Sequence, residues 1–330
     1  LKGDFLIIYQ DKIFDPTFNL ATEEFLLENQ KKDFKKNLIF VYRNKPSIVC
    51  GKNQSIWAEA NLRFCRENDI SINKRVSGGG TVYHDLGNIN FSYFTPRKSE
   101  WVSNFGVFNK PIIEFLNALK IKAHSNDRND ILIDNLKISG NAQHLSGDQM
   151  ISHATLLFNA DLQKVSVALN HPWNKVSSSA IQSKKVPVTN INQHGLDISV
   201  DEFILFFLDH LKSHFKAQMI FGFDKKSISE INKKVKSKYD QEDWVFGNSP
   251  KTSIDLSISF ENKPFLVHFD LEKGKVNKIN VAPENSQLTE MFNTLLLDEY
   301  FKHDSLFQKI EKQNSHIKEK LLDLLMELKL

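Results

Sequence analysis

The run Lys74-Arg75-Val76-Ser77-Gly78-Gly79-Gly80-Thr81-Val82-Tyr83-His84-Asp85 combines residue types that bind anions. Glycine permits positive φ and lets a ligand approach the main chain directly. Successive N–H groups in such a turn can converge on one anion. Arg75 can pair with phosphate or carboxylate through two parallel bonds, and Lys74 adds a second charge. Three glycines more commonly mean a loose surface loop. The strand-like Thr81-Val82-Tyr83 and the adjacent basic pair favour a binding turn instead. The spacing is neither that of a Walker loop nor the Gly-x-Gly-x-x-Gly of a dinucleotide turn.

A second region runs from Asp127 to Gln143. Ile131–Ile133 and Leu136–Ile138 are short apolar strands joined by Asp134-Asn135, which predicts a β-hairpin. Lys137 then lies in a strand with its side chain opposite to those of Leu136 and Ile138. Read alone, it is an ordinary solvated lysine. His153, in the strand-like Ser152–Phe158, is either a proton carrier or a structural histidine lining a pocket; the second is commoner. His84 and Asp85 could form a catalytic dyad, but local hydrogen bonding that shapes the turn is the simpler expectation. Lys52, Asn53 and Gln54 follow a strand directly, as loop surface or as a polar rim.

These residues need elements to hold them. Leu6–Tyr9 reads as a first strand. Asp15-Pro16 opens a helix, aspartate as cap and proline in the first turn. Phe18, Ala21 and Phe25 give that helix an apolar face, with Asn19 and Glu23 expected as solvated surface. Strands are expected at 38–42, 48–51 and 88–93, and helices at 63–69, 105–119, 161–169, 200–215 and 227–239. Residues 174–190, rich in serine and lysine, read as a mobile loop. Trp244–Pro250 reads as a boundary. Beyond it Ile254, Leu256, Ile258 and Phe260 alternate, as do Phe265, Val267, Phe269 and Leu271. A third strand and helices follow, a small α+β unit.

The 330 residues allow two domains. A net charge of +3 is too small to argue for nucleic acid. No apolar run approaches membrane-spanning length, and no signal-peptide pattern opens the sequence. Two cysteines, Cys50 and Cys65, make neither a disulfide framework nor a metal motif. A cytoplasmic protein is expected, with no nucleic-acid or membrane partner.

The glycine run resembles the Arg-Arg-x-Ser-Gly-Gly-Gly-x-Val-x-His-Asp signature of lipoate–protein ligases, within the biotin and lipoate ligase superfamily. The resemblance extends along nearly the whole chain. Arg128-Asn129-Asp130 and Lys137-Ile138-Ser139-Gly140-Asn141-Ala142 match a second family motif, with Asp127 in place of its first glycine. Ser152–Phe158 matches a third, with Ala154 for glycine. Val188-Thr189-Asn190 survives after the loop that covers the adenylate in the family. In that loop the usual arginines are altered, Lys185 standing for one and Pro187 for another. Gly51-Lys52-Asn53-Gln54 keeps a charge where the family has arginine.

The resemblance implies an α+β fold: a large mixed β-sheet domain of the biotin and lipoate ligase catalytic type, residues 1–247, and a small α+β accessory domain, residues 251–330. It implies activation of lipoate by ATP and transfer to a lysine of a carrier protein. Lys137 would be the catalytic residue, bridging the acyl carboxylate and the phosphate. Arg75, Ser77, Gly78, Gly79, Gly80, Thr81, Val82, Asn129, His153 and Lys185 would bind the substrates. Asp130 would hold Mg²⁺ or stand beside it, since hard oxygen ligands suit that ion. The implied acceptors are lipoyl domains of 2-oxo acid dehydrogenase complexes and the glycine-cleavage carrier protein. Related octanoyl transferases work through a cysteine thioester placed later in the chain, where this sequence has none. The glycine run also lacks the Gly-Arg-Gly-Arg-x-Gly of biotin ligases, which favours a longer apolar acyl chain. An ATP-independent transferase between carriers and an inert acyl-adenylate sensor are the alternatives.

Overall fold

The computed structural model describes residues 1, 4–30, 34–180, 182–184, 186–313 and 315–330, with 315 and 316 as backbone alone. The first part of the chain runs β1 (Phe5–Gln10), α1 (Pro16–Asn29), β2 (Asn37–Arg43), β3 (Ser47–Cys50), α2 (Ile56–Glu59), α3 (Leu62–Glu67), β4 (Ser71–Lys74), β5 (Val82–His84) and β6 (Asn88–Pro96). It continues through α4 (Gly106–Ala118), β7 (Ala123–Ser125), β8 (Ile131–Ile133), β9 (Leu136–Ser139), β10 (Asn141–Ser146), β11 (Gln149–Leu157) and α5 (Leu162–Ala168). Then come β12 (Lys175–Ser178), α6 (Val200–Phe215), β13 (Gln218–Phe221) and α7 (Lys225–Lys234). The remainder is β14 (Thr252–Phe260), β15 (Lys263–Glu272), β16 (Lys275–Ala282), α8 (Ser286–Leu296), α9 (His303–Glu311) and α10 (Ser315–Glu327).

The central sheet has the order β10-β11-β6-β2-β1-β13. β1 pairs in parallel with β2 and β13, and the other pairs are antiparallel. Side chains alternate between its faces. Ile39, Val41, Phe91 and Tyr93 meet α4 and α6, while Phe40, Tyr42, Phe94 and Ile151 meet α1 and α7. α6 is fixed at its start by a capping box, Ser199 with Glu202.

α1 begins as its sequence predicts, Asp15 accepting from the Phe18 N–H with Pro16 next. Two of its polar residues, Asn19 and Glu23, are buried rather than solvated as expected. Asn19 is 0% and Glu23 1% exposed. The helix is covered by the sheet on one side and by α7 and the residues just after it on another, where Lys234 and Lys238 pair with Glu28 and Glu24. Ten of its fourteen residues are buried, so Asn19 and Glu23 must find partners inside.

Two small sheets carry the site. In the first, β4 and β5 flank β3, and the glycine run forms the connection between β4 and β5. In the second, β8 and β9 form the expected hairpin, with Asp134 and Asn135 both left-handed (φ 48° and 63°).

The fourth sheet has the order β12-β14-β15-β16. Its first strand lies inside the segment read as loop, because β14 offers Lys175–Ser178 an open edge to pair with. α8, α9 and α10 cover the apolar face of this sheet, and Trp57 and Trp173 of the first part share their core. Trp57 Nε1 donates to the Phe301 carbonyl at 2.7 Å, and Trp173 Nε1 to that of Leu328 at 3.0 Å. Beyond α7 the helix widens into a π turn, Val235–Tyr239. The chain then crosses between the parts at Asp243–Pro250. Among the described residues, no helix is long and apolar enough to cross a membrane.

Candidate functional site

The glycine turn is built around Arg75. Its guanidinium donates to the carbonyls of Val49 (3.0 Å), Gly78 (2.7 Å) and Gly80 (2.7 Å) and to Ser77 Oγ (2.9 Å). Four of its five N–H donors are thereby spent on the turn itself. Gly79 supplies the left-handed residue, φ 89°. The turn also crosses close over the end of β3, where a Cβ on Gly51 would lie 2.1 Å from the Gly79 oxygen. Lys74, one residue earlier in an extended strand, points the other way. Its ammonium is buried and donates to the Asn248 carbonyl at 3.0 Å, so it holds the linker rather than the turn. The basic pair therefore does not act on one anion, as its sequence suggested.

Ser183 reaches the turn from the covering loop. Its Oγ accepts from the Thr81 N–H at 2.8 Å and from Gln54 Nε2 at 3.1 Å. Its own N–H donates to Glu59 Oε1 at 3.0 Å. Gln54 is thus a buried part of the site, while Lys52 and Asn53 are exposed. Lys184 borders the same space, and Lys185 lies outside the described residues.

β9 brings Lys137 to the opposite wall. Its N–H donates to the Pro187 carbonyl and its carbonyl accepts from the Thr189 N–H, at 3.0 and 3.1 Å. The ammonium lies 2.8 Å from Asp130 Oδ1, whose other oxygen is 3.2 Å from Arg128 Nη2. Burial pushes Asp130 up, but Lys137 and Arg128 more than offset this and hold its carboxyl below the usual range. Asn129, left-handed at φ 63°, offers its carbonyl to Asn109 and Asn141.

These walls enclose a cavity of ≈ 370 Å³. Of the residues expected at the site, Arg75, Gly80, Thr81, Val82, Asp130, Lys137 and His153 line it. Ser77, Gly78, Gly79 and Asn129 do not line it; Ser77 is buried, and Gly79 is exposed. Magnesium does not fit these residues as a resident ion. Both Asp130 oxygens face cations, and among the described residues no three acids, histidines or cysteines gather as ligands.

The floor carries residues that the sequence reading missed. Glu23 Oε2 is 3.1 Å from His153 Nδ1, and His153 Nε2 is 2.6 Å from Ser77 Oγ. Tyr42 and Ser92 also donate to Glu23. Burial raises the Glu23 pKa, but His153 and these hydrogen bonds lower it further, so the carboxylate stays ionised. The order acid, histidine, serine is that of a hydrolase triad. Ser77 is 0% exposed and accepts from Arg75, so it is no nucleophile. Of the three glutamates on α1, Glu23 alone is fully buried, which the sequence does not distinguish from Glu24 and Glu28.

The side chains of His84 and Asp85 have other partners and form no dyad. Its Nδ1 faces Asn44 Nδ2 at 3.1 Å, and burial together with Arg75 pulls its pKa down to about 3. Asp85 accepts from the N–H groups of Gly87 and Asp161. Both cysteines are buried with raised pKa, Cys65 to about 12, and neither lines the cavity. A thiolate nucleophile is disfavoured here.

The arrangement suits charge stabilisation. It has the Thr81 N–H and the Gln54 amide on one side, an ammonium held by a carboxylate on the other, and Ser183 of the loop over the first pair. Residues 15–212 match the family model described as the lipoyl protein ligase A/B catalytic domain. The lipoate-protein ligase LplJ of Bacillus subtilis is 34% identical over 279 residues, 84% of each chain. A crystal structure of lipoate-protein ligase A bound with ATP superposes with a TM-score of 0.62 at 25% identity, over 74% of this chain and 98% of that one. P. falciparum LipL1, crystallised in complex with lipoate, shares the fold over 98% of this chain and 100% of its own (TM-score 0.64, 24% identity). With its α+β architecture and its glycine turn facing Lys137, the chain belongs to the lipoate–protein ligase A family.

Proposed function

We propose that the chain is an ATP-dependent ligase that attaches lipoate to a lysine of a carrier protein. A carboxylate is a poor acylating agent because oxide is a poor leaving group. In the first step a lipoate carboxylate oxygen attacks the α-phosphorus of ATP, and the bond to pyrophosphate breaks. In the second, the carrier amine attacks the activated carbonyl and AMP leaves. Joining two anions requires cations and N–H donors placed where charge develops. Lys137, aimed by Asp130, is suited to sit between carboxylate and α-phosphate. The Thr81 N–H and Gln54 amide are suited to a phosphate oxygen once Ser183 moves aside. Magnesium would enter only as the counter-ion of ATP.

The observation that carries this reading is the facing of the glycine turn and Lys137 across one cavity. In this reading residues 1–247 are the catalytic domain and 251–330 an accessory domain. The acceptors are lipoyl domains of 2-oxo acid dehydrogenase complexes and the glycine-cleavage carrier, in the cytoplasm. Lipoate, the magnesium salt of ATP and an apo lipoyl domain are mixed with the protein, and the carrier is weighed by mass spectrometry. A mass gain that needs ATP is expected. A gain from an acylated donor carrier without ATP would show a transferase instead, and binding with no modification would show a sensor.

A further inference from the structure

The Arg75 guanidinium and the Glu23 carboxylate are both buried, yet neither touches the other. Two side chains join them. Arg75 Nε–H donates to Ser77 Oγ at 2.9 Å, which leaves the serine proton to point at His153 Nε2, 2.6 Å away. His153 Nδ1–H then donates to Glu23 Oε2 at 3.1 Å. In the neutral His153 protonated on Nδ1, the form an acceptor-only Glu23 favours, every donor points the same way, from cation to anion, and such chains polarise one another. At its far end the same guanidinium grips the carbonyls of Gly78 and Gly80.

We propose that Glu23 is a positioning residue for the adenylation step, acting through His153 and Ser77 to hold Arg75 and the glycine turn in their binding shape. The inference rests on the ligase reading above. Glu23 accepts only, so it fixes the His153 proton on Nδ1 and leaves Nε2 to receive the Ser77 hydroxyl. Without that constraint the ring can carry its proton on Nε2. Ser77 Oγ then faces two donors, and its own proton has no acceptor in the chain. Arg75 loses a fixed partner, and the carbonyls it clamps are freed to shift. Glutamine keeps the shape of the side chain but supplies an N–H, so Glu23→Gln is the sharp substitution.

The test is a double-mutant cycle on the full chain, read as lipoate-dependent pyrophosphate exchange into ATP. Glu23→Gln is expected to lower kcat/KM at least tenfold while the melting temperature stays within a few degrees. In a His153→Gln background the same change is expected to cost less than twofold, because the link it acts through is gone. ¹⁵N shifts of the His153 ring should show the Nδ1–H form in the parent and its loss in Glu23→Gln. If Glu23→Gln does not fold, Ser77→Ala breaks the chain one link further along and is read against His153→Gln in the same way. Exchange within twofold of the parent, equal cost in both backgrounds, or an unchanged ring pattern would each overturn the proposal. A parent chain with no exchange at all would sink the ligase reading instead, and the ring shifts would still decide this one.

Discussion

The Ser183 hydroxyl oxygen lies 2.8 Å from the Thr81 nitrogen and takes the N–H that closes the glycine turn. With Gln54 Nε2 on the same oxygen at 3.1 Å, the loop offers the turn the kind of acceptor that a phosphate would bring. A nucleotide must displace it. A neutral hydrogen bond of this type contributes about 1 kcal/mol net, or roughly fivefold in an equilibrium. Ser183→Ala is therefore predicted to lower the KM for ATP by a few fold in pyrophosphate exchange. A rise in that KM would mean that the serine holds a productive closed loop, and the idea fails.

Lys137 and Asp130 form one unit. Removing a single charge-stabilising donor typically costs about 10²–10³ in rate. Lys137→Ala is predicted to lose exchange by that order while staying folded by circular dichroism. Retained exchange within tenfold would remove Lys137 from the chemistry.

The same pair sets an acid dependence of stability. Asp130 has a folded pKa below its unfolded value, so its contribution is present above about pH 4 and fades as pH falls through the lower folded value. Asp130→Asn removes that dependence. Between pH 7 and pH 3 its melting temperature is predicted to fall a few degrees less than that of the parent chain. Parallel curves for the two proteins would contradict the assignment.

Close backbone approach at Gly51 leaves no room for a side chain, since a Cβ there would meet the Gly79 oxygen at 2.1 Å. Gly51→Ala must push the turn aside, costing about 1–3 kcal/mol of stability and most of the exchange activity. Gly106→Ala, at the start of α4 with its nearest neighbour at 3.5 Å, is the control and should keep activity. Equal activity in the two would show that the turn tolerates displacement.

Neither thiol is placed to carry an acyl group, so Cys65→Ala is predicted to keep exchange and carrier modification within about twofold. Its cost is roughly 1 kcal/mol, from emptying a site only 1% exposed. Loss of modification with folding intact would reopen thioester chemistry.

The parts of the site that could be read from sequence are those whose chemistry is local. The Asp134-Asn135 hairpin and the cap of α1 each depend on a few adjacent residues, and both formed as read; the glycine turn formed too, but with Arg75 as its internal clamp and Lys74 turned away. Lys137 was a solvated strand lysine on residue type alone, and only the surrounding motif pointed elsewhere. Glu23 was misread because its partners, His153, Ser92 and Tyr42, come from three different strands. Lys74 and Arg75 look like one basic pair in sequence, but the strand sends them to opposite sides. β12 was invisible for a similar reason: Lys175–Ser178 has little strand character until the edge of β14, far along the chain, is present to pair with it.

That strand has a mechanical consequence. Ser178 is its last residue and Ser183 comes five positions later, a stretch of chain that spans at most roughly 17 Å when fully extended. The C-terminal sheet thus has the loop over the cavity on a short leash. Any large swing of that sheet must either unzip Lys175–Ser178 from β14 or pull Ser183 off the Thr81 amide.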